Sequence, residues 1–334
     1  MPAKGWKDIL LRTKAEIKAD NLSLVAGGVA FYAFLAAAPA LAATIAIYAL
    51  VADASTVVDH LQLLRNVVPA DVMPLLQQQA SNFVNDDAKA SWGLAVGLAL
   101  ALFGSTKVAR SLILGLNIAY DESERRGFVR LNLLAFGLTG AGIISAVIVF
   151  ALLAAAPVVL RQLAISTDTE RLLSWGRWPL MFLGFTAALS VVYWVGPSRQ
   201  NAKWRWVTWG ALVATTLWII ASVGFSIYAS HFGNYGKSYG ALASVVVFML
   251  WLYITAYVVL FGAELNAEME HQTVEDTTQG APKPMGERGA YVADTVGKTA
   301  AQVKKKSKKK KAKETLEPGT DRDDTKPKRS SKHR

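Results

Sequence analysis

The residues at positions 238–263, SYGALASVVVFMLWLYITAYVVLFGA, form a run of 26 positions without a charged side chain. A helix of about 20 apolar residues already crosses a hydrocarbon core roughly 30 Å thick, so this run predicts a membrane-spanning helix. Glu264 and Glu268 follow directly, and helical geometry places them on one face with Tyr253 and Tyr257. Because ionisable groups are costly in hydrocarbon, we expect this polar stripe to face neighbouring helices or a hydrated cavity.

Composition places the rest of the chain in the same class. Of its 334 residues, 52% are hydrophobic, which is more than one soluble core normally uses. The predicted fold class is therefore all-α: a polytopic membrane protein with six transmembrane helices, short amphipathic extramembrane helices and a disordered C-terminal tail. The five further charge-poor runs that predict spans lie at about 21–52, 91–107, 131–160, 178–195 and 207–229.

Two amphipathic segments accompany the predicted transmembrane domain, which covers residues 21–271. Residues 1–20 mix lysines with apolar positions and predict a cytoplasmic helix on the membrane surface, the alternative being a solvated leader. Residues 53–90 carry apolar residues at helical spacing, interrupted by Pro69 and Pro74. That pattern predicts a helical insertion outside the bilayer.

The distribution of Lys and Arg predicts the orientation of the chain. The N-terminal segment, the second-to-third connection and the fourth-to-fifth connection together carry 13 of these cations, whereas the opposite connections carry six. By the positive-inside bias, both termini are expected in the cytoplasm and residues 53–90 on the extracytoplasmic side.

The C-terminal segment, residues 272–334, differs abruptly in composition, with 17 Lys or Arg and nine Asp or Glu. It has few large apolar groups, so we expect it to be a disordered cytoplasmic tail. Its Lys-rich part runs from Lys304 to Lys313 and would attract anionic lipid headgroups. Nonspecific contact with nucleic acid and a solvated tail without any partner are the open alternatives, and no specific nucleic-acid partner is expected.

Five short motifs together resemble the YihY/BrkB family, over roughly residues 10–270. They are Gly115-Leu116-Asn117-Ile118-Ala119-Tyr120, Gly196-Pro197 with Arg199, Tyr235-Gly236-Lys237-Ser238-Tyr239-Gly240, Trp251-Leu252-Tyr253 and Gly262-Ala263-Glu264-Leu265-Asn266-Ala267. The resemblance implies a multi-pass protein of the bacterial inner membrane with six helices. Members of that family have carried the labels serum-resistance or virulence factor, transporter and ribonuclease BN.

The ribonuclease label finds no support in the residues, and we expect no enzyme. Hydrolysis of a phosphodiester usually needs metal ligands or a positioned acid and base. The chain has no cysteine, and its four histidines lie in distant segments: His60, His231, His271 and His333. No metal site and no cofactor are therefore predicted.

Polar residues near the cytoplasmic ends of the first, second and sixth predicted spans form the candidate site. Glu264 is expected to pair with Lys107 or Arg110, because these charges share one depth and buried charges need partners. The pair would either fasten the helices or line a polar vestibule for a ligand. The candidate residues are Tyr32, Lys107, Arg110, Asn117, Tyr257, Glu264, Asn266 and Glu268.

Two places are candidates for a kink or hinge. Pro39 lies inside the first predicted span, where proline removes a backbone hydrogen bond. The second place is the loop with Gly233, Gly236 and Gly240, which would form an extracytoplasmic lid or an interfacial anchor.

Two functions remain open from the sequence. The first is a transporter or permease-like protein for envelope lipids or solutes. The second is a noncatalytic envelope scaffold, or serum-resistance-associated protein, that binds a partner through residues 53–90. A small-residue stripe at Gly93, Gly97, Ala101 and Ser105 packs helices inside one subunit or joins subunits, so a homo-oligomer is also open.

Overall fold

The computed structural model describes residues 3–51, 89–152, 167–232 and 236–299, together with residue 302. The predicted insertion at 53–90 lies almost wholly outside these ranges, as do Gly233 and the Lys-rich segment from Lys304 to Lys313. Throughout the described ranges the regular structure is helical, apart from one isolated β-bridge between Ala202 and Thr278. The all-α class is therefore confirmed for this part of the chain.

Six long helices and two shorter ones make up the described fold. Each long helix has at least 23 residues, which exceeds the length needed to cross a bilayer. The eight helices are, in chain order, α1 (Ala3–Ala19), α2 (Leu22–Val51), α3 (Lys89–Ala119), α4 (Phe128–Phe150), α5 (Thr167–Val195), α6 (Trp204–Phe232), α7 (Gly236–Glu270) and α8 (Tyr291–Asp294). The two shorter ones are α1 and α8.

Four stretches of these helices are long and apolar enough to cross a membrane. They are Phe128–Val149, Trp175–Val195, Trp204–Tyr228 and Val245–Glu270, in α4 to α7. The number of candidate spans rises to five if α1 and α2, which are bent by 64° relative to each other, are counted as one broken span. The chain is thus a helical membrane protein, and the number of six spans stays a prediction.

The sharp bend in the first part of the chain lies before α2, at a position the sequence reasoning did not single out. Asn21 has a positive φ of 49°, a conformation that asparagine tolerates better than most residues and that commonly ends a helix. Helix α2 continues through Pro39 without interruption. Of the hinge predicted at Gly233–Gly240, Gly236 and Gly240 belong to α7, and Gly233 lies outside the described residues.

Helix α7 is the central element and packs against α1, α2, α3 and α6. Its closest approach is to α6, where a Cβ on Gly210 would lie 2.2 Å from the Gly262 carbonyl oxygen. The hydroxyl of Tyr193 on α5 donates to the Val259 carbonyl at 2.6 Å, so α5 is tied to the same region. The outer faces of the bundle expose large apolar side chains such as Val129 and Leu133, as a lipid-facing surface requires.

Residues 273–299 fold onto one end of the bundle, and we call them the cap. Val292 and Thr277 are fully buried there. The prediction that disorder begins at Gln272 is therefore wrong for this segment. The physical reason is that hydrogen bonds, rather than a large apolar surface, hold it, as the contacts of Arg288 and Asp276 below show.

Candidate functional site

Four chain segments meet at the end of the bundle that carries the cap, and we call this the polar end. They are α1 and residues 120–127, 196–203 and 271–299. The cap joins the other three: the Tyr291 N–H donates to Glu122 at 2.7 Å, the Lys203 N–H donates to the Thr277 carbonyl at 2.7 Å, and Arg12 donates to the Lys298 carbonyl at 3.1 Å. The candidate residues at the end of α7 are thus covered by protein.

Arg12 of α1 and Glu268 of α7 form a buried ion pair at the polar end. Their side chains are 5% and 4% exposed, and the Arg12 Nε donates to Glu268 Oε2. Arg12 Nη2 also donates to the Glu268 carbonyl and to Gln272 Oε1, each at 2.9 Å. Gly297 of the cap lies so close that a Cβ there would be 2.5 Å from the Arg12 Nε. Glu268 is therefore a compensated charge that links α1, α7 and the cap.

A second buried pair, Arg199 with Glu270, was not recognised in the sequence. Arg199 donates to both carboxylate oxygens of Glu270, at 3.1 and 2.7 Å, and Thr277 of the cap donates to the same carboxylate at 2.7 Å. The guanidinium also lies over the Tyr120 ring at 5.1 Å. Such a bidentate pair fixes geometry as well as charge. The signal in the sequence was the opposite charge of two residues that both follow predicted spans.

Glu264, one helical turn before Glu268, has no comparable partner. It is 2% exposed, and its Oε2 lacks a hydrogen bond within the described part of the chain. The charges that act on it most strongly are themselves acidic, namely Asp20, Glu268 and Glu16. The site therefore contains a buried carboxyl group in an acidic environment.

The predicted pairing of Glu264 with Lys107 or Arg110 is wrong. No ion pair among the described residues includes Glu264. Arg110 instead lies over the Phe128 ring of α4 at 5.5 Å. Gly115 of α3 meets α7 at Leu260, and Arg110 is turned about 140° away from Gly115 around the helix axis. The rotation of α3 thus directs Arg110 to another neighbour.

The two candidate asparagines serve as buried links between segments. Asn266 accepts from the Gly210 N–H at 2.7 Å and donates to the Val207 carbonyl at 3.0 Å, which fastens α7 to α6. Asn117 accepts from the Ser198 N–H at 2.7 Å and donates to Glu124 at 3.0 Å. Both amides have their oxygen and nitrogen engaged, so they contribute to architecture.

The tyrosines separate into two groups. Tyr253 contacts Ser23 of α2 through their hydroxyls at 2.6 Å, and its ring lies 6.1 Å from that of Tyr257. Together with the Arg12 contact to Glu268, this confirms that the polar stripe of α7 faces neighbouring helices. Tyr32 is 38% exposed and packs its ring against Phe31, so the structure does not bring it into the cluster.

The cap is organised by three charged side chains that the sequence reasoning missed. Arg288 donates to the carbonyls of Val274, Glu275, Lys283 and Ala293. Asp294 accepts from three backbone N–H groups in the turn at 286–289. Burial opposes ionisation of Asp276, but hydrogen bonds from Thr278 and the Lys283 N–H, with the Arg288 charge, lower its pKa to about 2. The turn-forming prolines and glycines at 282–289 were the available signal.

No group of three or more His, Cys, Asp or Glu in the described ranges is arranged to hold a metal ion. His271 is engaged elsewhere, with its Nε2 at 2.9 Å from Thr295 and its Nδ1 at 3.5 Å from Glu268. The clusters at the polar end therefore fasten segments together, with Glu264 as the exception.

The fold and this site define a multi-span helical membrane protein whose polar end is closed by its own C-terminal segment. The family described as Virulence factor BrkB matches residues 13–286, and the chain belongs to that family. The resemblance to YihY/BrkB proteins drawn from the five motifs is thereby confirmed.

Individual relatives agree with this assignment. The chain is 30% identical over 220 residues to a putative ribonuclease-like protein, YfkH, of Bacillus subtilis, covering 63% of this chain and 76% of the relative. It is 28% identical over 283 residues to a UPF0761 membrane protein of Vibrio vulnificus, covering 80% and 85%. A UPF0761 membrane protein of Rhodospirillum centenum is 27% identical over 268 residues, covering 79% and 58%. No solved structure matches the chain.

Proposed function

We propose that this protein is a transporter or permease-like protein of the bacterial inner membrane for envelope lipids or solutes, with Glu264 as its proton- or cation-binding group. The proposal includes six spans, α2 to α7, with both termini in the cytoplasm. The observation that carries it is the buried Glu264 carboxyl within a candidate span, whose Oε2 has no hydrogen-bond partner among the described residues.

An ionised carboxylate without a partner is costly away from water, and in transmembrane segments such groups commonly mark ion or proton pathways. The acidic neighbours of Glu264 add to the cost of its negative charge. Binding of a proton or a cation removes that cost, and release requires that water reach the carboxyl. Alternating exposure of Glu264 would thus couple an ion to a conformational change.

The scaffold is the second candidate, and a specific observation favours it. The polar end is fastened by Arg12–Glu268, Arg199–Glu270 and the cap. Two of the surface depressions in the described ranges have volumes of about 620 and 610 Å³, and Glu264 lines neither of these two. A polar end fastened in this way fits a protein that binds a partner elsewhere, through residues 53–90 in this proposal.

We propose no nuclease activity, although the Bacillus subtilis relative is named ribonuclease-like. A nuclease would need an acid and base, or metal ligands, that face a substrate. His271 is held between Thr295 and Glu268 beneath the cap.

Proteoliposomes with the full-length protein test the role of Glu264. Flux of protons, followed with an entrapped pH-sensitive dye, and translocation of fluorescent phosphatidylglycerol are measured for the wild type and Glu264→Gln. Glutamine keeps the volume and removes the ionisable group. The wild type is expected to exceed protein-free vesicles in proton flux, and Glu264→Gln to fall to their level.

The matched control is Glu275→Gln, which removes a carboxylate that is 73% exposed on the cap. It is expected to retain wild-type flux. Proton flux in Glu264→Gln equal to that of the wild type would exclude the coupling role. Absence of flux for protons and for lipid in every preparation would favour the scaffold.

A further inference from the structure

A groove of about 610 Å³ lies between α3 and α4, near the polar end of the bundle. Two cations from α3, Lys107 and Arg110, lie on one side of it. Its α4 side carries Asn132 and four apolar side chains that are 42% to 78% exposed: Phe128, Val129, Leu133 and Phe136. The groove therefore combines a cationic edge with an apolar wall on the outer surface of the protein.

The two cations have no carboxylate partner within the described part of the chain. The Nε of Arg110 is buried and makes no hydrogen bond there. Its guanidinium is held over the Phe128 ring at 5.5 Å. A positioned guanidinium with unused donors, beside a second cation one helical turn away, matches the charge and geometry of a phosphate group.

The depth of the groove identifies the kind of phosphate compound. Arg110 lies over the ring of Phe128, the first residue of the candidate span Phe128–Val149. The end of an apolar span is where headgroups are expected to meet hydrocarbon. Leu133 and Phe136 follow on α4, about 7 and 12 Å further into that span. The groove thus presents cations at headgroup level and apolar surface along the hydrocarbon, as an amphipathic lipid requires.

We propose that this groove binds one anionic phospholipid, with its phosphate between Lys107 and Arg110 and an acyl chain along Leu133 and Phe136. The two cations, which have no carboxylate partner in the described ranges, favour an anionic occupant over an apolar protein helix, which would bring no negative charge. The site lies on the outer surface and does not depend on ion coupling at Glu264. It also gives Lys107 and Arg110 a role in place of their predicted pairing.

Native mass spectrometry of the purified full-length protein tests the proposal, with equimolar palmitoyl-oleoyl phosphatidylglycerol and phosphatidylcholine added in detergent. The wild type is expected to retain one phosphatidylglycerol in preference to phosphatidylcholine. Lys107→Gln combined with Arg110→Gln is expected to weaken that binding on the order of 30-fold, since each basic residue near a membrane surface strengthens the binding of anionic lipid roughly fivefold.

Arg177→Gln is the matched control. Arg177 also lies over an aromatic ring, that of Trp178 at 5.4 Å, and its Nε also lacks a hydrogen bond in the described ranges. It lies on α5 far from Val195 and the polar end, and it does not line the groove. This variant is expected to retain phosphatidylglycerol as the wild type does.

A second variant, Val129→Glu, places a carboxylate at an exposed position of the groove wall and is expected to compete with the lipid for the cations. Melting curves from circular dichroism check that each variant is folded. Wild-type lipid retention in the folded double variant, or equal loss in Arg177→Gln, would overturn the proposal. Equal retention of phosphatidylcholine, or displacement of the lipid by millimolar inorganic phosphate, would overturn the assignment to an anionic lipid.

Discussion

At the scale of single residues, the polar end contains both buried and exposed ion pairs. Arg12 and Glu268 are nearly inaccessible, and the guanidinium has three further acceptors. Arg205 and Glu275 are 3.6 Å apart, but their side chains are 64% and 73% exposed. Removal of one member of a buried pair leaves an uncompensated charge, whereas an exposed member is resolvated by water.

We therefore expect Arg12→Met to lower the free energy of unfolding by about 3–5 kcal/mol, because Glu268 would be left buried without its partner. The measurement is denaturant or thermal unfolding of the purified protein in detergent, followed by circular dichroism. Arg205→Met is the control and should change stability by less than about 1 kcal/mol.

The double variant Arg12→Met with Glu268→Gln should regain part of the loss, since it removes both charges. An Arg12→Met protein as stable as the wild type would mean that water compensates Glu268. The cap would then contribute less to the polar end than its contacts with Arg12 indicate.

Residue patterns predicted the face of α7 but not the partners across it. Helical spacing alone put Tyr253 and Glu268 on one stripe, and both meet neighbouring helices. Spacing gives the angle between residues of one helix, but not how a second helix is rotated about its own axis. That missing angle is why Arg110 was expected at Glu264 and lies at Phe128 instead.

At the scale of elements, the contact between α6 and α7 depends on two glycines. A Cβ on Gly210 would lie 2.2 Å from the Gly262 carbonyl, and one on Gly262 would lie 2.5 Å from the Tyr193 hydroxyl. Asn266 adds hydrogen bonds to Gly210 and Val207 at the same crossing. Small residues allow helix backbones to approach closely in membranes, where van der Waals packing and hydrogen bonds drive association.

Gly210→Ala is accordingly expected to destabilise the protein by about 1–3 kcal/mol, because the added methyl group forces two backbones apart. Gly224→Ala is a control on the same helix, where a Cβ would meet no atom within 4 Å. Alanine is the better helix former, so this control should be neutral or slightly stabilising. Equal melting temperatures of the two variants in detergent would contradict the close crossing.

The elements themselves were largely predictable, and the cap was not. Long apolar runs predict helices because a bilayer leaves few other backbone structures possible, and α4 to α7 follow those runs closely. The cap instead depends on side chain to backbone contacts, such as the four carbonyls that accept from Arg288. The composition of the cap resembles that of a disordered segment, because composition describes apolar content and charge but not hydrogen bonds between particular groups.

At the scale of the whole molecule, the segments predicted to be cytoplasmic converge at one end. The N-terminal helix, residues 120–127, residues 196–203 and the cap are joined by hydrogen bonds there. Two long helices lie between each of these segments and the next, so each pair of helices must return the chain to the same end. The cations at that end, including Arg199 and Lys203, favour the cytoplasmic side by the positive-inside bias.

Because the chain contains no cysteine, single cysteines introduced by mutation report the orientation directly. Val274→Cys lies on the cap, where the native side chain is 66% exposed. Thr167→Cys lies at the first residue of α5, about 42 Å along the helix from Val195 and the polar end.

In intact spheroplasts, a membrane-impermeant maleimide is expected to label Thr167→Cys. Val274→Cys should be labelled only after the membrane is permeabilised, because the cap then becomes accessible from the cytoplasmic side. Labelling of Val274→Cys in intact spheroplasts, with Thr167→Cys protected until permeabilisation, would reverse the orientation and put the Lys-rich segment outside the cell.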